Sequence, residues 1–217
     1  MSSKTPDTLS FQLKNQFAST NQTIYASVTG YAYNHNNNLF LLQANGSTPY
    51  YPTSPGQDHT KITQDVAIPL GPLGTSKTVT IPKLYSARLY FSVGEKLAFY
   101  LNKGPALVEP SVSNKSDDNF NTQWGFCELT YNDTELFCNI SYVDFIGLPI
   151  ALDLTTKAGK EQHVKGVNAY GIDTIASAMK AQSKVDGQPW GSLVIANNGK
   201  NLRGQYTYLI TCTSGRS

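Results

Sequence analysis

Apolar and polar residues alternate with a period of two along most of this chain. Phe11, Leu13 and Phe17 alternate with polar neighbours, and residues 23–33 place Ile24, Ala26 and Val28 on one side and Tyr25, Tyr31 and Tyr33 on the other. That period marks half-buried strands. The same reading predicts short strands at 39–43, 66–70, 78–81, 87–93, 96–101, 124–131, 136–145 and 150–154, with turns or loops rich in Gly, Pro, Ser and Asn at 34–38, 45–57 and 104–121. After Thr155 the pattern changes. Ile175, Ala176 and Met179 recur at helical spacing within 173–184, Gly187 and Pro189 follow as stop signals, and two further strands are expected at 193–196 and 206–211. The chain therefore reads as mainly β: a barrel or sandwich over 8–155, followed by a small α/β segment, or an incomplete second domain, over 156–217.

Composition narrows the ligand. Only 15% of residues are charged, against about 25% in ordinary globular proteins, and the polar surface falls to Asn, Ser, Thr, Gln and Tyr. A formal charge of +2 with no clustered Lys or Arg argues against nucleic acid. No apolar run is long enough for a membrane helix. Five Asn-x-Ser/Thr sequons, at Asn21, Asn45, Asn114, Asn132 and Asn139, point towards export, although a chain this rich in Asn, Ser and Thr supplies some by chance. The segment from Met1 to Pro6 lacks the apolar core of a signal peptide. A secreted location is expected, with the signal already removed, missing, or never used.

The three cysteines are Cys127, Cys138 and Cys212. If Asn132-Asp133 turns a two-residue hairpin, Cys127 falls opposite Cys138, where a disulfide needs only a small adjustment. Two buried thiols that merely fill space are the other reading.

The sequence contains no phosphate-binding glycine loop and no nucleophile elbow. His35, His59 and His163 lack metal-site spacing. Carboxylates remain. Most of them sit in loops or turns, but Glu128 and Asp144 are embedded in aromatic β sequence, Phe126-Cys-Glu-Leu129 and Tyr142-Val-Asp-Phe145. They either face solvent from a sheet or stand across a groove as an acid and base pair. The hairpin above would set Asp144 opposite Asn121, seven positions from Glu128 and more than about 20 Å away. A bulge, strong curling or another pairing has to intervene if the two cooperate.

The run from Ile81 to Asn114 carries Ala-Arg-Leu-Tyr-Phe-Ser at Ala87 and Gly-Pro-Ala-Leu-Val-Glu-Pro at Gly104. From Asn121 to Leu152 follow Glu-x-Thr-Tyr-Asn-Asp at Glu128, Asn-x-Ser-x-Val-Asp at Asn139 and Leu-Pro at Leu148, and later Asp186-Gly-Gln-Pro-Trp190. Together these resemble glycoside hydrolase family 64, the β-1,3-glucanases with a thaumatin-like barrel, fungal members especially, over about residues 8–205. The resemblance implies internal hydrolysis of β-1,3-glucan with inversion. Glu128 would be the general acid and Asp144 the base, about 6.5–9.5 Å apart to admit a water. Trp124, Tyr142, Tyr50 and Tyr51 are the candidate sugar-binding aromatics. No metal or organic cofactor is implied, and the expected state is a monomer acting on a wall polysaccharide. Against the family pattern the chain looks shortened at its C-terminal end. A non-catalytic carbohydrate-binding protein of the same architecture is the alternative.

Overall fold

The computed structural model describes residues 4–16, 22–156, 158–168 and 170–194, and the backbone of Tyr208–Thr213. Its strands are β1 (Thr8–Lys14), β2 (Ile24–Ala32), β3 (Asn38–Leu42), β4 (Pro49–Tyr50), β5 (Thr60–Lys61), β6 (Ile68–Pro69), β7 (Ser76–Pro82) and β8 (Leu84–Val93). They continue as β9 (Tyr100–Asn102), β10 (Ala106–Val108), β11 (Gln123–Tyr131), β12 (Leu136–Ile140), β13 (Ile150–Thr155), β14 (Glu161–Val164) and β15 (Tyr208–Thr213), and one helix, α1, spans Gly171–Asp186. The largest sheet has the order β12-β11-β8-β2-β3-β4, with β6 also on β2. A second has the order β14-β13-β15-β1-β7, and a third β10-β9-β5.

Alternation along the strands builds two cores, inner and outer in the order given. Ile24, Val28, Leu89, Phe91, Cys127 and Leu129 project from one face of the large sheet and join Phe11, Leu13, Val79, Ile81 and Ile150. Leu39, Leu41, Tyr90, Trp124 and Phe126 project from the other face and join Val66, Leu97, Phe99 and Leu101. Full burial of side chains such as Phe40 and Phe91 contributes about 1.5–3 kcal/mol each. Because the large sheet is covered on both faces, β2 is buried at almost every position, which a strand covered on one face would not be.

Several expectations shift in detail. The strand predicted at 66–70 shrinks to β6, and that at 96–101 to β9, while the loops 45–57 and 104–121 contribute β4 and β10. Leu193 ends a 3₁₀ helix, Pro189–Leu193, rather than starting a strand. Phe17 and residues 195–196 and 206–207 lie outside the described residues. The boundary expected at 155 falls inside a sheet: β14 and β15, from the tail, share one with β13, β1 and β7.

The largest correction concerns the β11–β12 hairpin. Its loop is four residues long, with Tyr131 opposite Leu136 and Leu129 opposite Cys138. Asn132 builds the wider turn, since its Oδ1 accepts the backbone N–H groups of Thr134 (2.9 Å) and Glu135 (3.0 Å). Cys127 now faces Ile140, so Cys127 and Cys138 are diagonal thiols with no disulfide between them. A hydrogen bond from Cys127 lowers the Cys138 pKa against the opposing effect of burial. The hairpin loop also anchors the N-terminal segment. Lys83, with 1% of its side chain exposed, places Nζ 3.1 Å from Asp7 Oδ1 and 2.6 Å from Asp133 Oδ1, and Tyr131 Oη donates to Pro6 O at 2.7 Å.

The β13–β14 pair carries a pH-sensitive contact. His163 Nδ1 lies 2.6 Å from Asp153 Oδ1 and its Nε2 3.4 Å from Glu161 Oε2. The Asp153 hydrogen bond raises the imidazole pKa above its ordinary 6.5. A raised folded value stabilises fully below about 6.5 and is lost as pH rises through the folded value. The His163 ring proton signals should therefore titrate above 6.5, and their midpoint should fall towards 6.5 in Asp153→Asn, where the Glu161 contact remains. Unchanged titration in that variant would refute the contact.

Candidate active site

Hydrogen-bond register aligns one row of residues straight across the large sheet. Asn139 of β12 faces Glu128 of β11, which faces Arg88 of β8, which faces Thr29 of β2, and Thr29 faces Leu41 of β3. Glu128 shares its face of the sheet with Trp124 and Phe126, by the alternation of β11. A cleft of about 540 Å³ opens over this row, and its lining includes Thr29, Tyr31, Arg88, Glu109, Glu128, Thr130, Phe137 and Asn139. Strands rather than loops hold most of these groups, so the row is rigid.

A bulge in β8 shapes one end of the cleft. Arg88 pairs with Thr29, but two residues further along β2 Tyr31 pairs with Tyr85, so β8 carries one extra residue there. The same irregularity appears against β11, between Leu129 and Tyr131. Ser86 takes up the distortion with a φ of 45°, and Gly30 lets the strands approach, because a Cβ there would meet Ala87 Cβ at 2.8 Å. The bulge turns Tyr85 to the cleft face, where its ring stacks on Tyr31 at 5.5 Å and lies 4.8 Å from Tyr33. Leu84 is thereby kept in the core.

Two carboxylates share one guanidinium at the centre. Arg88 Nη1 is 2.5 Å from Glu109 Oε2, and Arg88 Nε is 3.4 Å from Glu128 Oε1. Tyr90 Oη donates to Glu109 Oε1 at 3.0 Å. Burial pushes the Tyr90 phenol far above its ordinary pKa, so that donor stays protonated. Beneath them the Phe126 ring lies 4.7 Å from the Arg88 guanidinium carbon, a cation–π contact that fixes the fork. The Glu128 side chain keeps 39% of its surface exposed, so it stays open to the cleft.

Asp144 lies on the segment that follows β12. In the observed register a continued β12 would set Asp144 opposite Gln123, five positions from Glu128 and about 16 Å away at ~3.3 Å per residue. Instead β12 ends at Ile140, and loop 141–149 folds around the open edge of β11. On the cleft face Phe145 packs against Trp124 at 4.5 Å and Phe126 at 6.1 Å. Gly147 then crosses the edge against the Trp124 carbonyl, and Leu148 enters the inner core under Gly125. Tyr142 ties the loop down: its Oη donates to Leu148 O at 3.3 Å and accepts from Ile150 N at 3.5 Å. Asp144 is exposed at the bend of this loop and is not among the residues lining the cleft.

Of the expected aromatics, Trp124 is buried at 4% exposure within the outer core, and Tyr142 is half-buried in its loop. Tyr50 packs against the outer core from β4, while Tyr51 stacks on His35 at 3.9 Å. The exposed aromatic at the cleft is Phe137, 59% exposed. Arg88 and Glu109 carried a signal that alternation alone did not weigh. Arg88 lies between the buried Ala87 and Leu89, and a charge embedded in such a strand needs a partner. Among the described residues no group of three or more His, Cys, Asp or Glu side chains could hold a metal ion, and no helix is long and apolar enough to cross a membrane.

A β-1,3-glucanase family model matches residues 7–205. Glucan endo-1,3-β-glucosidases from Cellulosimicrobium cellulans and from an Arthrobacter species are 33% and 32% identical over 129 residues, which is 59% of this chain and 22% of each relative. Among solved structures, a laminaripentaose-producing β-1,3-glucanase in complex with laminaritetraose matches with a TM-score of 0.77 and 25% identity, over 94% of this chain and 52% of that one. The family 64 laminaripentaose-producing β-1,3-glucanase from Paenibacillus barengoltzii, complexed with laminarihexaose, shares the fold with a TM-score of 0.65 at 22% identity, over 93% and 48%. The chain thus spans about a fifth of the length of these sequence relatives and about half of the solved chains.

Proposed function

The chain belongs to glycoside hydrolase family 64, the β-1,3-glucanases, and from that premise we propose that it cuts internal linkages of a β-1,3-glucan outside the cell. The observation that carries this reading is the cleft itself. A partly exposed carboxyl, Glu128, stands on the strand row at its centre beside the ion-paired Arg88 and Glu109, with Thr29, Thr130, Asn139 and the exposed Phe137 along the cleft. Outside that ion-paired cluster the lining is neutral, and neutral polar groups beside an exposed aromatic suit an uncharged polysaccharide.

Glu128 protonates the departing glycosidic oxygen as its bond to the anomeric carbon breaks. Asp144, on the loop that wraps the edge of β11, takes a proton from the water that attacks the same carbon from the opposite face. The products then carry the inverted anomeric configuration. The relative solved with laminaritetraose supports the substrate class.

The test is incubation with linear β-1,3-glucan, with product sizes followed by chromatography and anomeric configuration by NMR. Internal cleavage with inversion is expected. Binding without release of oligosaccharides by folded protein would overturn the catalytic reading and leave a carbohydrate-binding one. Release with retained configuration would overturn the proposed mechanism alone.

A further inference from the structure

Glu109 is the second carboxylate in the cleft lining, and the reaction above gives it no task. Both of its oxygens are already engaged, Oε2 by Arg88 and Oε1 by Tyr90. Its effect falls on Arg88, whose guanidinium stands 2.5 Å from Glu109 but 3.4 Å from Glu128.

We propose that Glu109 is a positioning residue that holds the Arg88 guanidinium off Glu128, so that Glu128 is free to carry the proton given to the leaving oxygen. This rests on Glu128 being the acid. A guanidinium in bidentate contact with a carboxylate favours its ionised form strongly. A general acid paired in that way would lose its proton too readily. With Glu109 taking the closer bond, and Tyr90 and Phe126 fixing the arrangement, Arg88 keeps one N–H towards Glu128 without closing on it.

The charged and ionisable groups around Glu128 are few. Arg88 faces it from β8, Glu109 from the segment after β10, and Tyr31 lines the cleft from β2. Thr29 on β2 and Asn139 and Phe137 on β12 are neutral, and Asp144 lies exposed on loop 141–149. Glu109 and Arg88 therefore dominate, with opposite signs. Removing Glu109's charge takes away a like charge and also releases Arg88 onto Glu128, and both changes keep Glu128 ionised to lower pH. Removing Arg88 does the reverse.

The experiment follows the Glu128 carboxyl carbon by NMR across pH in ¹³C-glutamate-labelled chain, with the signal assigned from its loss in Glu128→Gln. In Glu109→Gln its midpoint should fall, and in Arg88→Met it should rise. Glu109→Asp, which keeps the charge, should restore much of the original midpoint. If Glu109→Gln shifts the midpoint as far in an Arg88→Met background as it does alone, Glu109 acts by its own charge and not through Arg88, and the proposal is overturned; a shift that shrinks in that background supports it. On linear β-1,3-glucan the alkaline limb of the pH–activity profile should move in the same order. If the NMR midpoints shift as stated while no glucan is hydrolysed, the positioning role stands and the glucanase reading fails. If glucan is hydrolysed but the midpoints do not separate, the reverse holds.

Discussion

Glu128→Gln should lower kcat on linear β-1,3-glucan by roughly 10²- to 10⁴-fold, the usual contribution of a general acid, while leaving glucan affinity nearly unchanged. The amide is close in size to the carboxyl, and the side chain is 39% exposed, so the fold does not depend on it. Its loss leaves no charge stranded either, because Arg88 retains its closer partner Glu109. The separation of kcat from KM is the informative part. A residue that only binds sugar would raise KM, whereas a proton donor acts in the transition state and lowers kcat. Retention of more than about a tenth of the activity would remove Glu128 from the catalytic role.

Gly147→Ala should damage both stability and activity, although Gly147 touches no substrate in the proposed mechanism. A Cβ at this position would lie 1.9 Å from the Trp124 carbonyl oxygen and 2.8 Å from a ring carbon of Phe145. Both are far inside van der Waals contact, and the first is backbone of β11, held on its other side by β8, so loop 141–149 has to move. Overpacking of this kind costs about 1–3 kcal/mol, and at this chain length each kcal/mol lowers Tm by roughly 2–4 °C. Because the displaced loop carries Asp144, a shift of about 1 Å should also reduce kcat by around 10²-fold. Gly56→Ala is the control, since a Cβ there would meet nothing within 4 Å, and neither Tm nor kcat should change. A Gly147→Ala protein as stable and active as the parent would mean that the loop does not position the base.

Much of this architecture was readable in the residues. Strands β2, β3, β7, β8, β11 and β13 follow from period-two alternation, and α1 from helical spacing closed by Gly187. That glycine caps the helix at a φ of 71°, its N–H donating to Ser183 O. Register was not readable, because it was decided by a side chain. Asn132 accepts two backbone N–H groups and opens a four-residue loop where Asn-Asp alone suggests two. Every cross-strand pair, including Cys127 with Cys138, moved with it. Nor could alternation foresee that β12 stops at Ile140 and that the chain then wraps an edge, since the reason lies in Phe145 finding Trp124 across the sheet. The site divides in the same way. Glu128 stood out as a carboxylate in aromatic β sequence, but Arg88 and Glu109, separated along the chain by a strand, a hairpin and a loop, meet only in the folded molecule.

The row across the large sheet also bears on how the protein can be made. Asn139 stands beside Glu128 and lines the cleft, and it opens the sequon Asn139-Ile-Ser141, whose serine is 6% exposed. A glycan attached at Asn139 would be a bulky polar branch planted in the middle of the cleft proposed to admit the polysaccharide. Protein produced in a glycosylating host would then divide into open and obstructed molecules according to occupancy at that one asparagine. Material from a host that adds no N-glycans would be uniformly open. Of the four sequon asparagines among the described residues, Asn139 alone lines the cleft, and Asn139→Gln would keep the amide in the row while removing the attachment point.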